Sequence, residues 1–498
     1  MKPGKLIVGV FAASAIGAIV AACGGGGGDN GIEVTQGTVI LGATVVNTRD
    51  GSLTPGMTLI IDGGKIQKIT SSSVRISGTA QTVDAPGKFV VPGFLDMHTH
   101  LLDSPVNELA YVEQLLVANG ITGIREMRGS PELVQNAQQV NADAAAGRIT
   151  APEILIIPGS TIGLNAPPAA ATSAAAAIAE VQAQKAYGAG FIKTVRANRD
   201  PTLAFLTEAK NQGLTVAGHL SQSVSAKESS DLGWRAVEHL GAGLTILLDC
   251  SSNEDALRSS LLAGTPATAL RQPILDSYND AKCQTLAQTF ARNETWHVPT
   301  LIRLRTTLAA DDPLYRNDPN LIYVSKTTRA AWEQTAVVYS QTNDATAAAR
   351  LRAYFDKEQT LPRLLKTNGV KMLAGSDTAV IATWVIPGVS LHQEFRHLAA
   401  SGLSPLEILQ MTTLNGAEFV RRQATMGTVE EGKNADLVLL DANPILDVAN
   451  LDRISAVFLK GRYFSKQALD KLKSDVAAAY AAQSIQVTSA AAESAHVD

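Results

Sequence analysis

Cysteine is nearly absent from these 498 residues: there are three, at positions 23, 250 and 283. Cys23 lies in the N-terminal segment, so one pair remains. Cys250 and Cys283 either form a single disulfide or stay as two separate buried thiols. Excess positive charge is also missing. The 42 Lys and Arg residues against 46 Asp and Glu leave a net charge of -4. That excludes a phosphate backbone as the main partner, and no nucleic acid is expected. No segment beyond the N-terminus is apolar for long enough to span a bilayer, and no solenoid period repeats. Histidine is scarce, at 8 residues, so histidines that gather in one place carry information. What is present is a globular composition, 45% hydrophobic and 18% charged, long enough for one large domain and a small accessory one.

The N-terminus bears on location. Lys2 and Lys5 precede an apolar run over 6–20, then Val20-Ala21-Ala22-Cys23 and a glycine tract from Gly24 to Gly28. Positive charge, a short apolar core and small residues read as a secretory signal, too short for a comfortable membrane span. Ala21-Ala22-Cys23 resembles the bacterial lipobox, in which the cysteine is lipidated and becomes the new N-terminus. The alternative is an ordinary signal peptide that happens to contain a cysteine. On the lipoprotein reading, residues 1–22 are removed and 23–36 form a flexible tether. The protein is then exported and anchored to a membrane through Cys23, on the periplasmic face or the cell surface.

Along the chain, 37–90 reads as short strands separated by turns, with Gly63-Gly64 as a hairpin signal. From residue 91 the rhythm changes. Apolar runs at 93–97, 121–125, 153–157, 191–195, 215–218, 235–238, 295–299 and 371–374 alternate with helical stretches such as 106–118, 131–147, 174–187 and 201–212. Eight such strands are what a (β/α)₈ barrel requires. Residues 301–366 hold more chain than one crossover needs and read as a helical insertion near the active-site mouth. Residues 427–465 return to β patterning and complete a small β-sandwich with 37–90. A C-terminal helix and tail follow at 466–498. The expected fold class is α/β: a TIM-like (β/α)₈ barrel over 91–426 with a small composite sandwich domain drawn from both flanking segments.

The chemistry gathers at strand ends. Phe94-Leu95-Asp96-Met97-His98-Thr99-His100 closes the first barrel strand. Residues two apart in a strand point the same way, so His98 and His100 can place two imidazoles on one ion. Barrel active sites lie at this end of the strands. Lys193, His219, His239 and Asp377 end the fourth, fifth, sixth and eighth candidate strands. A lone histidine is more often a satisfied core residue and a lone lysine a solvated one. A ring of ligand-type side chains around one barrel mouth is hard to explain without metal.

These residues resemble the pattern of the amidohydrolase superfamily, and within it the imidazolonepropionase-related branch that includes Xaa-Pro dipeptidases and ochratoxinase. Val90-Val91-Pro92-Gly93-Phe94-Leu95-Asp96-Met97-His98-Thr99-His100, Phe191-Ile192-Lys193, the Gly402 to Leu409 stretch and its continuation Thr412-Thr413-Leu414-Asn415-Gly416-Ala417, and the late Gly432-Lys433-Asn434-Ala435-Asp436 carry the resemblance over about 37–463. It implies two divalent metal ions, zinc foremost. His98, His100 and Asp377 hold the first and His219 and His239 the second. Lys193, carboxylated by CO₂, bridges both. A carbamate offers two oxygens and a negative charge where an ammonium could not bind a cation. It also implies that the ions lower the pKa of a shared water and that Asp377 is the catalytic proton carrier. Single-metal deaminases of the superfamily lack the lysine and commonly place a Glu shortly after the strand-five histidine. Here His219 precedes Leu220-Ser221-Gln222-Ser223, which argues for amide hydrolysis.

Other residues carry weaker signals. Arg125 or Arg128, at the end of strand two, could grip a substrate carboxylate, although Arg125-Glu126 also reads as an internal ion pair. His297 ends strand seven and lines the pocket or packs. His392 and His397 read as structural, and Gly432 and Asp436 as turn and sandwich residues. The expected function is metal-dependent cleavage of C–N bonds in dipeptides, Xaa-Pro-like ones included, or in N-acyl amino acids. A lactone, phosphotriester or cyclic amide hydrolase on the same ions is the alternative, and a non-enzymatic lipid-anchored binding protein a third reading. Partners are a small-molecule or dipeptide substrate and, as an open possibility, a second copy of the chain.

Overall fold

The computed structural model describes residues 32–163, 172–378 and 382–484. The proposed signal segment and Cys23 lie outside the described residues. Seven short strands form the staves of a barrel: Phe94–Thr99, Ile121–Glu126, Glu153–Ile156, Ile192–Val195, Val216–Gly218, Trp234–Glu238 and Trp296–Val298. They pair in parallel in chain order, with a parallel bridge from Pro158 to Phe191 joining the third to the fourth. Strands buried on both faces read as continuous apolar runs. Leu95, Met97, Ala217, Ala236, Trp296, Val298 and Leu373 pack together inside the barrel. Phe94, Ile124, Ile192, Val216 and Val237 face the surrounding helices.

The eighth stave departs from the expected strand at 371–374. His297 bridges Met372, and Thr99 bridges Thr378, both in parallel, so this segment links the seventh stave to the first without forming a regular strand. Two residues break the ladder. Asp377 has φ +62, and Gly375 passes so close to the first stave that a Cβ there would lie 2.8 Å from the His98 Cβ. Glycine permits that approach and leaves room for the His98 side chain.

Helices cover the barrel. Pro131–Ala145 begins with proline at its first position and a Ser130 side chain accepting from the Leu133 N–H, a start signal read directly from Ser-Pro. Two crossovers are enlarged. After the sixth stave come Thr245–Asp249, Glu254–Leu262, Ala267–Asp276 and Asp280–Arg292. A disulfide between Cys250 and Cys283 ties the first of these helices to the last. After the seventh stave, helices run from Leu301–Leu308 through Lys326–Thr342 and Ala345–Glu358 to Leu361–Thr367. The extra chain at 245–292 was not read as an insertion from the sequence. Its four helical segments look like ordinary crossover helices one at a time.

The flanking segments share one sheet. Its order is Arg462–Ser465, Ile454–Leu459, Leu437–Leu440, Phe89–Pro92, Thr38–Val46, Leu53–Asp62 and Lys65–Thr70, with Gln81–Asp84 paired to Thr38–Val46. Alternation decides its faces: Leu437 and Leu439 pack with Ile40, Leu59 and Phe458, whereas Val438 and Leu440 join the barrel core. Phe89–Pro92 passes through Gly93 directly into the first barrel stave, so the sheet anchors the strand that carries His98. The reading of 23–36 as tether runs too far. Ile32–Val34 is a strand paired with Val74–Ile76, because Ile32 and Val34 bury against Val39, Ile60, Val74 and Ile76. Lys466–Ala482 is helical. Among the described residues, no helix is long and apolar enough to cross a membrane.

Candidate metal centre

Three of the six ligand-type residues meet at the barrel mouth. One ligand atom each from His98, His100 and Asp377 lies within 4.8 Å of the others. His98 Nε2 is 3.1 Å and His100 Nε2 3.4 Å from Asp377 Oδ1. The far nitrogens are held in turn. His98 Nδ1 lies 2.7 Å from Glu238 Oε2 and His100 Nδ1 3.1 Å from Asp103 Oδ2. An imidazole that gives its Nδ1 proton to a carboxylate presents the Nε2 lone pair to the site.

The sixth stave supplies His239, whose Nδ1 is 2.6 Å from the Thr300 hydroxyl and whose Nε2 is 4.0 Å from Asp377 Oδ2. Its ring centroid lies 4.5 Å from that of His98 and 5.0 Å from that of His219. His239, Thr300 and Asp377 all have positive φ, at 53°, 45° and 62°. A non-glycine residue enters that region at about 1–2 kcal/mol each, and here three of them surround one site. Lys193 is buried at 3% exposure on the fourth stave. It is close enough to Glu238, Asp377 and His98 for each to act on the other's ionisation.

Protonation follows from these contacts. Burial would raise the Glu238 carboxyl, but the charge of Arg125 and the hydrogen bond from His98 pull it down to about 2. Burial would likewise raise Asp377, but His98 and His239 hold it well below the carboxylate range. Burial pushes the His98 and His239 imidazoles down. It also lowers the Lys193 amine to about 8, against the pull of Glu238 and Asp377. His100 moves the other way, to about 9, because the Asp103 and Asp377 carboxylates beside it outweigh burial.

The donor set fits a divalent cation. Neutral His98 donates a hydrogen bond from Nδ1–H to Glu238, so Nε2 carries a lone pair. Asp377 is ionised, so Oδ1 carries lone pairs as well. Neither atom has a hydrogen-bond partner, yet they face each other at 3.1 Å. Two acceptors at that distance repel unless a cation lies between them. Ligand atoms about 2.1 Å from a tetrahedral ion stand about 3.4 Å apart, close to both distances from Asp377 Oδ1.

The remaining candidates are placed elsewhere. Arg125 is fully buried, with Nη2 2.8 and 2.7 Å from the two oxygens of Glu238 and Nε 2.5 Å from the Met97 carbonyl. Its guanidinium also lies over the Phe191 and Phe419 rings. It forms an ion pair, but across the barrel with Glu238 rather than with Glu126. The Glu126 carboxylate accepts backbone N–H groups of Leu102, Met127 and Arg128. Arg128 extends to Asp103 at 3.0 Å. His297 faces out of the barrel onto Phe290, with centroids 4.7 Å apart, because Trp296 and Val298 on either side take the inner face. His392 bonds the Asn119 carbonyl and Asp452, and His397 the Tyr315 hydroxyl. Asp436 accepts the Lys460 N–H, and Gly432 has φ +83.

Sequence reasoning missed four residues that shape the site. Glu238 and Thr300 orient His98 and His239. Asp96 accepts the Ser376 N–H at 2.9 Å and hydroxyl at 2.5 Å, together with the His98 N–H at 3.3 Å, so one buried carboxylate ties together the staves bearing His98 and Asp377. Arg303 places Nε 2.8 Å from Asp377 Oδ2. Only Glu238 had a local signal, an acid immediately before a ligand-type histidine. The partners of the other three lie far away in sequence.

The parallel, barrel-like array of staves with a sheet built from both flanks is the amidohydrolase fold. Known structures share it. One is a bottromycin amidohydrolase, with a TM-score of 0.69, 20% identity and coverage of 89% of this chain and 90% of that one. Another is a Xaa-Pro dipeptidase with bound methionine, with a TM-score of 0.58, 19% identity and coverage of 86% and 99%. Residues 325–463 match the family described as Amidohydrolase family. A dihydroorotase of Pelotomaculum thermopropionicum is 25% identical over 419 residues, 81% of this chain and 88% of its own. The chain spans only 14%, 23% and 18% of the lengths of three other curated relatives, two of them adenine deaminases and one a dihydroorotase.

Proposed function

We propose that this chain is an amidohydrolase, a binuclear metal-dependent hydrolase of amide bonds, acting on dipeptides, Xaa-Pro-like ones included, or on N-acyl amino acids. His98, His100 and Asp377 would hold one divalent ion and His219 and His239 a second, zinc foremost, with Lys193 bridging as a CO₂-derived carbamate. The observation that carries the reading is the approach of His98 Nε2 and His100 Nε2 to the one oxygen Asp377 Oδ1. Support for the lysine comes from its burial and its lowered amine pKa, since the neutral amine is the form that adds CO₂.

Bound there, the ions supply a nucleophilic water at neutral pH and polarise the scissile carbonyl. The chain's own groups do the rest. Glu238, Asp103 and Thr300 hold the imidazoles in one tautomer and orientation. The Asp377 carboxylate takes a proton from the attacking water. It returns that proton to the leaving nitrogen as the C–N bond breaks, so the products are a carboxylic acid and an amine. Likeness to a Xaa-Pro dipeptidase supports the substrate class. A second reading, cleavage of a cyclic amide, draws support from the dihydroorotase relative that spans most of the chain. Export by way of Cys23 is part of the same proposal, supported by the N-terminal pattern and by the Cys250–Cys283 disulfide.

The test is a panel of dipeptides, N-acyl amino acids, cyclic amides and lactones on the zinc-loaded full chain. Turnover of the first two classes, lost on chelation and restored by zinc, is expected. Turnover confined to lactones or cyclic amides, or turnover unaffected by chelation, contradicts the reading.

A further inference from the structure

The segments that leave the fourth, fifth and sixth staves are stitched together behind the ligand-type residues those staves carry. Residues 220–225 run from His219 to the short helix Ala226–Asp231, and they are gripped from two sides. On one side the Ser221 hydroxyl donates to the Ala197 carbonyl at 2.7 Å, in the segment that follows the stave of Lys193. On the other side Asp249 and Arg258 reach in from the crossover that follows His239. Asp249 accepts the Ala226 N–H, and Arg258 Nη1 donates to the Gln222 carbonyl at 2.9 Å. Asp249 and Arg258 also pair with each other, and the Asp249 side chain is only 3% exposed. Breaking such a pair on one side leaves a charge with little water to solvate it.

The chain between His239 and this clamp is strained. His239, Leu240 and Ala242 have φ of 53°, 51° and 57°, and Gly241 and Gly243 between and after them are positive as well. Non-glycine residues stay in that region only where their surroundings over-determine it. Here the strained turn leads into the helix Thr245–Asp249, whose far end is pinned. Asp249 is held in the clamp, and Cys250 is joined to Cys283. Lys282, beside that bond, donates to the Ser251 carbonyl at 2.8 Å and to Glu254 at 2.6 Å. Glu254 in turn lies 3.0 Å from Arg258.

We infer that Asp249 is a positioning residue for the second ion. With Arg258 it fixes the loop behind His219 to the turn behind His239, and so sets the separation of the two imidazoles, whose centroids lie 5.0 Å apart. The inference rests on the binuclear reading and deepens it. Thr300 orients the His239 ring, whereas Asp249 places the backbone on which both rings stand. The residues assigned to the first ion are held by other contacts. Asp96 ties the stave of His98 to the segment of Asp377 through Ser376, and Asp103 holds His100. Cutting the clamp therefore releases the second ion and spares the first.

The experiment titrates the metal-free full chain with zinc against a competing chelator, with bicarbonate present, in the wild type, Asp249→Ala and Asp249→Asn. The asparagine keeps an acceptor for the Ala226 N–H and loses only the charge. Ile274→Ala, which opens a cavity elsewhere in the same crossover, controls for lost stability alone, and thermal melts are recorded for every variant. The wild type is expected to bind two ions. Asp249→Ala should bind the first as the wild type does and the second about tenfold or more weakly, the range seen when groups supporting metal ligands are removed. Asp249→Asn should show a smaller loss of the same kind, and Ile274→Ala should melt earlier yet keep both affinities. Wild-type affinity for both ions in Asp249→Asn and Asp249→Ala would overturn the inference. So would an equal loss of both ions, or the same selective loss in Ile274→Ala. Should Asp249→Ala fail to fold, unchanged affinities in folded Asp249→Asn overturn it alone. A wild type that binds fewer than two ions would instead remove the binuclear reading on which the inference stands.

Discussion

Glu238 Oε2 accepts a hydrogen bond from His98 Nδ1 across 2.7 Å, and this contact decides which nitrogen of His98 faces Asp377. The same carboxylate takes two contacts from Arg125, so a buried triad of Arg125, Glu238 and His98 lies directly behind the site.

Glu238→Gln should therefore weaken zinc binding by about 10- to 100-fold, the usual effect of losing a carboxylate behind a metal-ligating histidine. It also leaves Arg125 buried without its counter-charge, at a cost of about 3 kcal/mol or more. The double variant Glu238→Gln with Arg125→Met should regain much of that stability but not the metal affinity. Chelator competition and thermal melts measure the two quantities separately. Wild-type zinc affinity in Glu238→Gln would contradict the orienting role.

The disulfide Cys250–Cys283 closes a span of 33 residues within the helices that follow the sixth stave. Removing a loop of that length from the constraints on the unfolded chain should cost about 4 kcal/mol on the chain-entropy account. Reduction, or Cys250→Ser with Cys283→Ser, should lower the midpoint of thermal unfolding. Two free thiols in the oxidised, purified protein would remove the bond from the account.

Burial raises the Glu358 carboxyl to about 8, although Arg271 and Arg303 pull it down. The unfolded chain ionises it near the ordinary 4.5. The folded state thus binds more protons than the unfolded state between pH 4.5 and 8, and this group's contribution falls as pH rises through that window, then levels off. Glu358→Gln does not titrate, so its stability relative to wild type should be higher at pH 8 than at pH 5. Urea unfolding at both values tests this. A difference that is independent of pH would show that the carboxyl is not held protonated.

The barrel was legible because its chemistry is periodic. Short apolar runs buried on both faces ended in polar residues, and His98, Lys193, His219 and His239 each closed such a run. The eighth stave was only half legible. Met372 and Thr378 bridge to neighbouring staves, but Gly375 and the left-handed Asp377 prevent a strand. Arg125 was misplaced for a general reason. A charged residue at a strand end has an obvious neighbour in sequence, Glu126, whereas the barrel closes it onto Glu238, 113 residues away. Arg303 and Asp96 carried no pattern of their own. Their meaning comes only from the distance to Asp377 and Ser376, which no local spacing encodes.

On the proposed function, six side chains from distant parts of the chain would hold two divalent ions. Metal content of the purified full chain, compared with Lys193→Ala after equilibration with zinc and bicarbonate, tests it most directly. Two ions per wild-type chain and one or none in the variant are the predicted result. Full two-ion occupancy in Lys193→Ala, or no retained metal in the wild type, would contradict it.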